Sequence, residues 1–149
     1  MSGRSRGLTV LEVVIALAML AVVTGIGVLA YARIAEDLRL GHAARQVMLD
    51  LMMTRTHALA DNTGRRLVFL PEQDVYQPQV QINGHYTDDG AAIVLPTGID
   101  LTGCTAFGSA ITFRPRGNAV TFGTITLRNL PGHERHIVVD IAGRIRVES

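Results

Sequence analysis

The residues best placed to do chemistry lie near the two ends of the chain. Near the start, Gly7 precedes Leu8, and Glu12 heads an apolar run in which no residue from Val13 to Ala32 carries a charge. A carboxylate bordering such a run is costly in lipid unless a cation neutralises it. A cut after Gly7 would supply one. Leu8 would then carry an α-amine about one helical turn from Glu12, and the amine of a neighbouring subunit could also reach it. The chemistry is charge pairing that fixes an axial register, with no turnover. Near the end, Gly143-Arg144-Ile145-Arg146 sets two guanidiniums two positions apart. On a strand they share one face with Cα atoms about 7 Å apart, which roughly matches successive phosphates on one nucleic-acid strand. The same residues have a structural use. Gly143 permits a tight turn, and charges on an edge strand discourage edge pairing.

Other reactive side chains carry less. Cys104 has no second cysteine to pair with, and it reads as a small apolar residue rather than a ligand or nucleophile. His133 and His136 in "HERH" have a metal-compatible spacing only on a helix, and the segment reads as a hairpin connection with solvated side chains. The chain has no Ser/His/Asp signature, Gly-rich phosphate loop or metal spacing, so no catalytic residue, metal or cofactor is expected. All 14 basic side chains are Arg, and the net charge of +1 is too small for a general polyanion binder. Its distribution is uneven. Residues 67–110 hold five acids and no Arg, whereas residues 111–149 hold Arg114, Arg116, Arg128, Arg135, Arg144 and Arg146 against three acids.

These groups need elements to position them. Twenty uncharged residues rise about 30 Å as a helix, the thickness of a bilayer's hydrocarbon core. Arg4 and Arg6 precede the run and would hold that flank in the cytoplasm. No Pro occurs before Pro71, so one helix is expected from Leu8 to about Asp61. Beyond Tyr31 it turns amphipathic, with Ile34, Leu38, Val47, Met48, Leu51, Met52 and Leu59 near a 3.6-residue period. Met48, Met52 and Met53 read as packing against the following domain. Gly64 is expected to take the left-handed turn that ends the helix. The remainder reads as short β-branched strands: "RLVFL", "VYQPQVQI", "AIVL", "ITFR", "AVTF", "TITLR", "HIVVD" and "RIRV". "PRGN" and "PGHER" suit hairpin connections, "AGR" suits a final turn, and residues 81–109 read as mostly loop. The fold class is α+β: a long N-terminal helix packed on a small antiparallel β domain.

"G-LTVLE" ahead of an apolar helix resembles the signal of type IV pilins and type II secretion pseudopilins. "ITFRPRGNAVTFGTITLRN…RHIVVDIAGRIRV" resembles the GspH/FimT group within them. Its shared F-x-P-x-G turn is carried here by Phe113, Pro115 and Gly117, and its closing G-R-x-R by Gly143, Arg144 and Arg146. The resemblance implies the type IV pilin fold, with residues 1–7 a leader and 8–32 a transmembrane and filament-core helix. Residues 33–61 would be the amphipathic half of that helix, and 62–149 a periplasmic β domain. It implies cleavage by prepilin peptidase between Gly7 and Leu8, N-methylation of Leu8 and registration by Glu12. The implied partners are major and minor pilins or pseudopilins, an inner-membrane assembly platform and, before assembly, the lipid bilayer. The leading expectation is an H-type pseudopilin of type II secretion that helps initiate or cap the pseudopilus. The rival is a FimT- or FimU-like minor pilin that binds DNA through Gly143, Arg144 and Arg146, with Arg114, Arg116 or Arg128 joining them.

Overall fold

The computed structural model describes residues 9–148, apart from the side chains of 26–30, 32 and 33. The chain divides into two compact units, Met1–Ala35 and Glu36–Ser149. The helix α1 spans Val10–Ala60. Thr9 starts it, its Oγ1 accepting the backbone N–H of Glu12 at 3.2 Å, the N-terminal half of a capping box. In the first unit the apolar side chains from Val10 to Val23 stand exposed on α1, Val10 at 82% and Val23 at 67%. Among the described residues no helix is long and apolar enough to cross a membrane. The span expected over residues 8–32 includes positions outside that description.

Among the described residues every strand lies in the second unit. A six-stranded sheet comprises β1 (Arg65–Leu70), β2 (Val75–Ile82), β3 (His85–Asp88), β4 (Ile93–Val94), β6 (Ala110–Phe113) and β7 (Ala119–Thr121). Its order is β3-β2-β1-β6-β7, with β4 also on β2. A four-stranded sheet comprises β5 (Ile99–Cys104), β8 (Gly123–Asn129), β9 (Glu134–Val139) and β10 (Ile145–Glu148), in the order β10-β9-β8-β5. Every pairing is antiparallel. Alternation explains why these segments are strands. Leu67 and Phe69 on β1, Ile125 and Leu127 on β8, and Ile137 and Val139 on β9 are buried at every second position. They form one core with Tyr76, Ile111, Phe113, Leu101 and the inner stripe of α1. Each fully buried side chain of this size contributes about 1.5–3 kcal/mol relative to leaving it in water.

The helix stripe matches the expected one at Val47 and Leu51 and differs elsewhere. Leu40, Ala43, Ala44, Val47, Leu51, Thr54 and Ala58 are buried, a run of three- and four-residue steps. Ile34, Leu38, Met52, Met53 and Leu59 are exposed, and Met48 is half-buried. Alanine wins the inner face because its small side chain lets the helix backbone lie close to the sheets. The methionines therefore do not supply the packing expected of them. Helix termination also differs. Asn62, not Gly64, takes the left-handed conformation, at φ 50°. The N–H of Thr63 closes the last turn onto the carbonyl of Ala58 at 3.2 Å. Gly64 has no positive φ, and the atom nearest to a Cβ there would be Gln81 Oε1 at 2.7 Å, the movable end of a flexible side chain. Finally, the stretch read as mostly loop contains β3 and β5 besides β4, which falls in the expected strand "AIVL".

Candidate functional site

The N-terminal constellation is described only in part. Gly7 and Leu8 lie outside the described residues. Glu12 occupies the first turn of α1 with its side chain exposed, and no cation lies within ion-pairing distance among the described residues. Its position as the third helical residue after Thr9 adds something the charge-pairing argument omitted. A carboxylate there complements the positive end of the helix dipole and belongs to the T-x-x-E capping pattern.

The C-terminal motifs prove to be one assembly. Phe113 ends β6 in the core, fully buried. The chain turns at Arg114-Pro115-Arg116-Gly117, with the N–H of Gly117 on the Arg114 carbonyl at 2.8 Å and that of Arg114 on the Asn118 carbonyl at 2.9 Å. Gly117 has φ 79° and Gly143 has φ 75°. The two glycines meet, and a Cβ on Gly143 would fall 2.3 Å from the Gly117 carbonyl oxygen. From α1, Arg55 Nε donates to that same oxygen at 2.7 Å. The N–H of Ala119 reaches the Ile141 carbonyl at 3.2 Å, tying β7 to the final turn. The glycines of both motifs thus serve close approach and positive φ. Arg55 was missed in the sequence because nothing local marks a helical Arg whose acceptor lies 62 residues away.

The arginines divide by environment. Arg144 lies in the turn just before β10 and Arg146 lies within it. Their side chains are 83% and 65% exposed. Both have carboxylates at hand: Arg144 Nε is 3.3 Å from Asp140 Oδ2, and Arg146 Nε is 2.6 Å from Glu148 Oε1. Arg128 on β8 is held by Glu134, with Nε at 2.9 Å from Oε1. Arg114 and Arg116 are exposed and lie together on the β6–β7 turn, away from any carboxylate partner among the described residues.

The histidines do not converge. His133 Nδ1 is 2.6 Å from Asp37 Oδ1 on α1. His136 turns to Thr126 Oγ1 at 3.1 Å. No group of three or more metal-ligating side chains occurs among the described residues. Asn129, almost fully buried, donates to Asp37 at 3.0 Å, and its Oδ1 accepts the His133 N–H at 2.8 Å. The hydrogen bond from His133 lowers the Asp37 pKa below its ordinary value of 3.8. Tyr76 donates its hydroxyl to Asp50 on α1, and burial followed by that bond raises its pKa. Cys104 is half-buried against the core. Burial raises its thiol pKa, which disfavours the reactive thiolate.

Likeness to known proteins agrees with this architecture. A search among curated proteins finds no significant relative. Among solved structures, the minor pseudopilin EpsH from the type 2 secretion system of Vibrio cholerae matches with a TM-score of 0.62 at 8% identity. That match covers 74% of this chain and 97% of the other. The type IV minor pilin FimU of Pseudomonas aeruginosa matches with a TM-score of 0.60 at 18% identity, over 76% of this chain and 91% of the other. At these identities the likeness is one of fold, and both folds are those of pilin-like subunits. The family model described as type II transport protein GspH matches residues 43–143. That stretch holds the buried stripe of α1 from Ala43 onward, every strand of both sheets except β10, and the Gly117–Gly143 contact, and the chain belongs to the GspH family.

Proposed function

We propose that this protein is a minor subunit of a type IV-type filament, serving type II protein secretion as an H-type pseudopilin that helps initiate or cap the pseudopilus. The family match over residues 43–143 carries this reading. The N-terminal residues supply its mechanism. The apolar stretch of α1, whose described side chains find no cover within the chain, stores the subunit in the inner membrane, N-terminus inward and β domain periplasmic. Prepilin peptidase cuts between Gly7 and Leu8, and the Leu8 amine is methylated. Glu12 pairs with an amine as the helix enters the filament centre, with the assembly platform and neighbouring subunits as partners. No reaction is assigned to the chain. Deleting the gene and scoring protein secretion, twitching motility and transformation in parallel tests the assignment. Loss of secretion alone is expected. Normal secretion with lost motility would move the protein to a type IV pilus.

A second reading has one observation in its favour. Arg144 and Arg146 remain largely solvent-exposed despite their carboxylate partners, so both could exchange those partners for phosphates. A FimT- or FimU-like minor pilin of a type IV pilus would use them, with Gly143 shaping the turn, to hold DNA during uptake. Loss of transformation with secretion intact would select this reading.

A further inference from the structure

The β6–β7 turn borders a cleft of about 420 Å³ lined by Asn62, Arg114, Pro115, Arg116 and Asn118. Its charge is one-sided. Arg39, Arg65, Arg128, Arg144 and Arg146 each have a carboxylate within ion-pairing distance. Arg114 and Arg116 have none among the described residues, and no acid lines the cleft. Two guanidiniums without counter-ions, joined by two asparagines that can both donate and accept, form a recognition surface for carboxylates or phosphates.

The cleft is also preorganised. Pro115 stiffens the segment between the two arginines. Gly117 closes the turn at φ 79°, Arg55 Nε donates to its carbonyl, and Gly143 packs closely against that oxygen. On the opposite wall, Asn62 is fixed in the left-handed conformation that ends α1. The backbone that carries the two guanidiniums thus has little freedom left to lose on binding, and only their exposed side chains remain to be ordered.

Shape separates the candidate ligands. A duplex presents its phosphates along a continuous rod and is matched by a ridge or stripe of cations. A concave site of this volume has room for roughly a dozen waters, the space of a few side chains projecting from a partner. We propose that the Arg114–Arg116 cleft is a docking site for an acidic segment of a neighbouring filament subunit, its Asp or Glu carboxylates taken bidentately by the two guanidiniums. The proposal rests on the filament reading for its partner, but the binding chemistry stands by itself.

The test is a titration of the full-length chain in detergent micelles with a fluorescent acetylated Glu-Asp-Glu-Asp peptide amide. Inorganic phosphate and a short duplex DNA serve as competitors. Salt-sensitive peptide binding is expected, weakened at least tenfold by Arg114→Gln with Arg116→Gln and changed less than twofold by Arg144→Gln with Arg146→Gln. The Arg114→Lys, Arg116→Lys pair should retain charge but lose most of the affinity, because ammonium groups do not make the bidentate contact. Unchanged thermal melting of each variant assures that binding, not folding, is read. Absent peptide binding, or equal losses from both glutamine pairs, would overturn the proposal. Duplex DNA displacing the peptide through Arg114 and Arg116 at far lower concentration would replace the acidic segment with nucleic acid. Filament entry of the Arg114→Gln, Arg116→Gln subunit at wild-type levels, alongside lost peptide binding, would overturn the docking role and leave the filament reading standing.

Discussion

Asp37 shows how a single exposed residue links α1 to the β8–β9 hairpin. It receives His133 Nδ1 and Asn129 Nδ2 on the same oxygen, and its pKa is lowered chiefly by the His133 hydrogen bond. A carboxyl group that is a stronger acid in the folded state stabilises the fold above its unfolded pKa, near 3.8. That contribution is lost as the pH falls through the lower folded value. Asp37→Asn should therefore flatten the acid limb of the stability curve below about pH 4, read as thermal midpoints across an acid titration. Its curve should converge with the wild-type curve at the most acid values. An acid limb that keeps its full slope in Asp37→Asn would remove the hairpin tie from the account of acid stability. At this scale the sequence was partly opaque. "HERH" was read as a solvated hairpin connection, whereas Glu134 to His136 open β9, and the partner of His133 lay 96 residues back on the helix, where no periodicity points to it.

Among the elements, the contact between the β6–β7 turn and the final turn decides what G-R-x-R is for. Gly143→Ala should cost about 2–4 kcal/mol, from positive φ together with overlap at the Gly117 carbonyl. Arg144→Gln with Arg146→Gln should leave the melting temperature nearly unchanged, because exposed ion pairs contribute little. Calorimetry of the three proteins checks this, and a neutral Gly143→Ala would contradict the close-packed geometry. The split assigns the glycine to the fold and leaves the arginines available for function. Most strands were legible because β-branched residues alternate between turn residues. β3, "HYTD", was not, since its one large apolar residue leaves the extended conformation to pairing with β2. β5 carries the alternation Ile99, Leu101 within a Gly- and Thr-rich stretch that reads as turn. The helix was legible in extent but only partly in face, at Val47 and Leu51. Apolar residues lie on several sides of it, and only packing against the sheets selects the alanine-rich stripe.

For the whole molecule, charge and hydropathy are divided in a way that suits a subunit built to be joined to others. The described apolar side chains of Val10–Val23 are uncovered in the first unit. The second unit has its own closed core with arginines arrayed on the surface turns. The family was legible from the N-terminal pattern and the two C-terminal motifs together, and within the matched stretch Gly117 and Gly143 serve close packing. The contact that joins those motifs was not legible, since it depends on where two distant turns come to rest. The most direct measurement is the amount of processed chain in sheared, purified filaments from cells producing either wild type or Glu12→Gln at equal membrane levels. Glutamine retains the T-x-x-E/Q capping pattern after Thr9 but removes the charge, so helix capping and registration are separated. The expected result is wild-type protein in the filaments and Glu12→Gln reduced at least tenfold while still inserted in the membrane. Wild-type protein absent from the filaments, or Glu12→Gln present at the wild-type level, would contradict filament registration by Glu12.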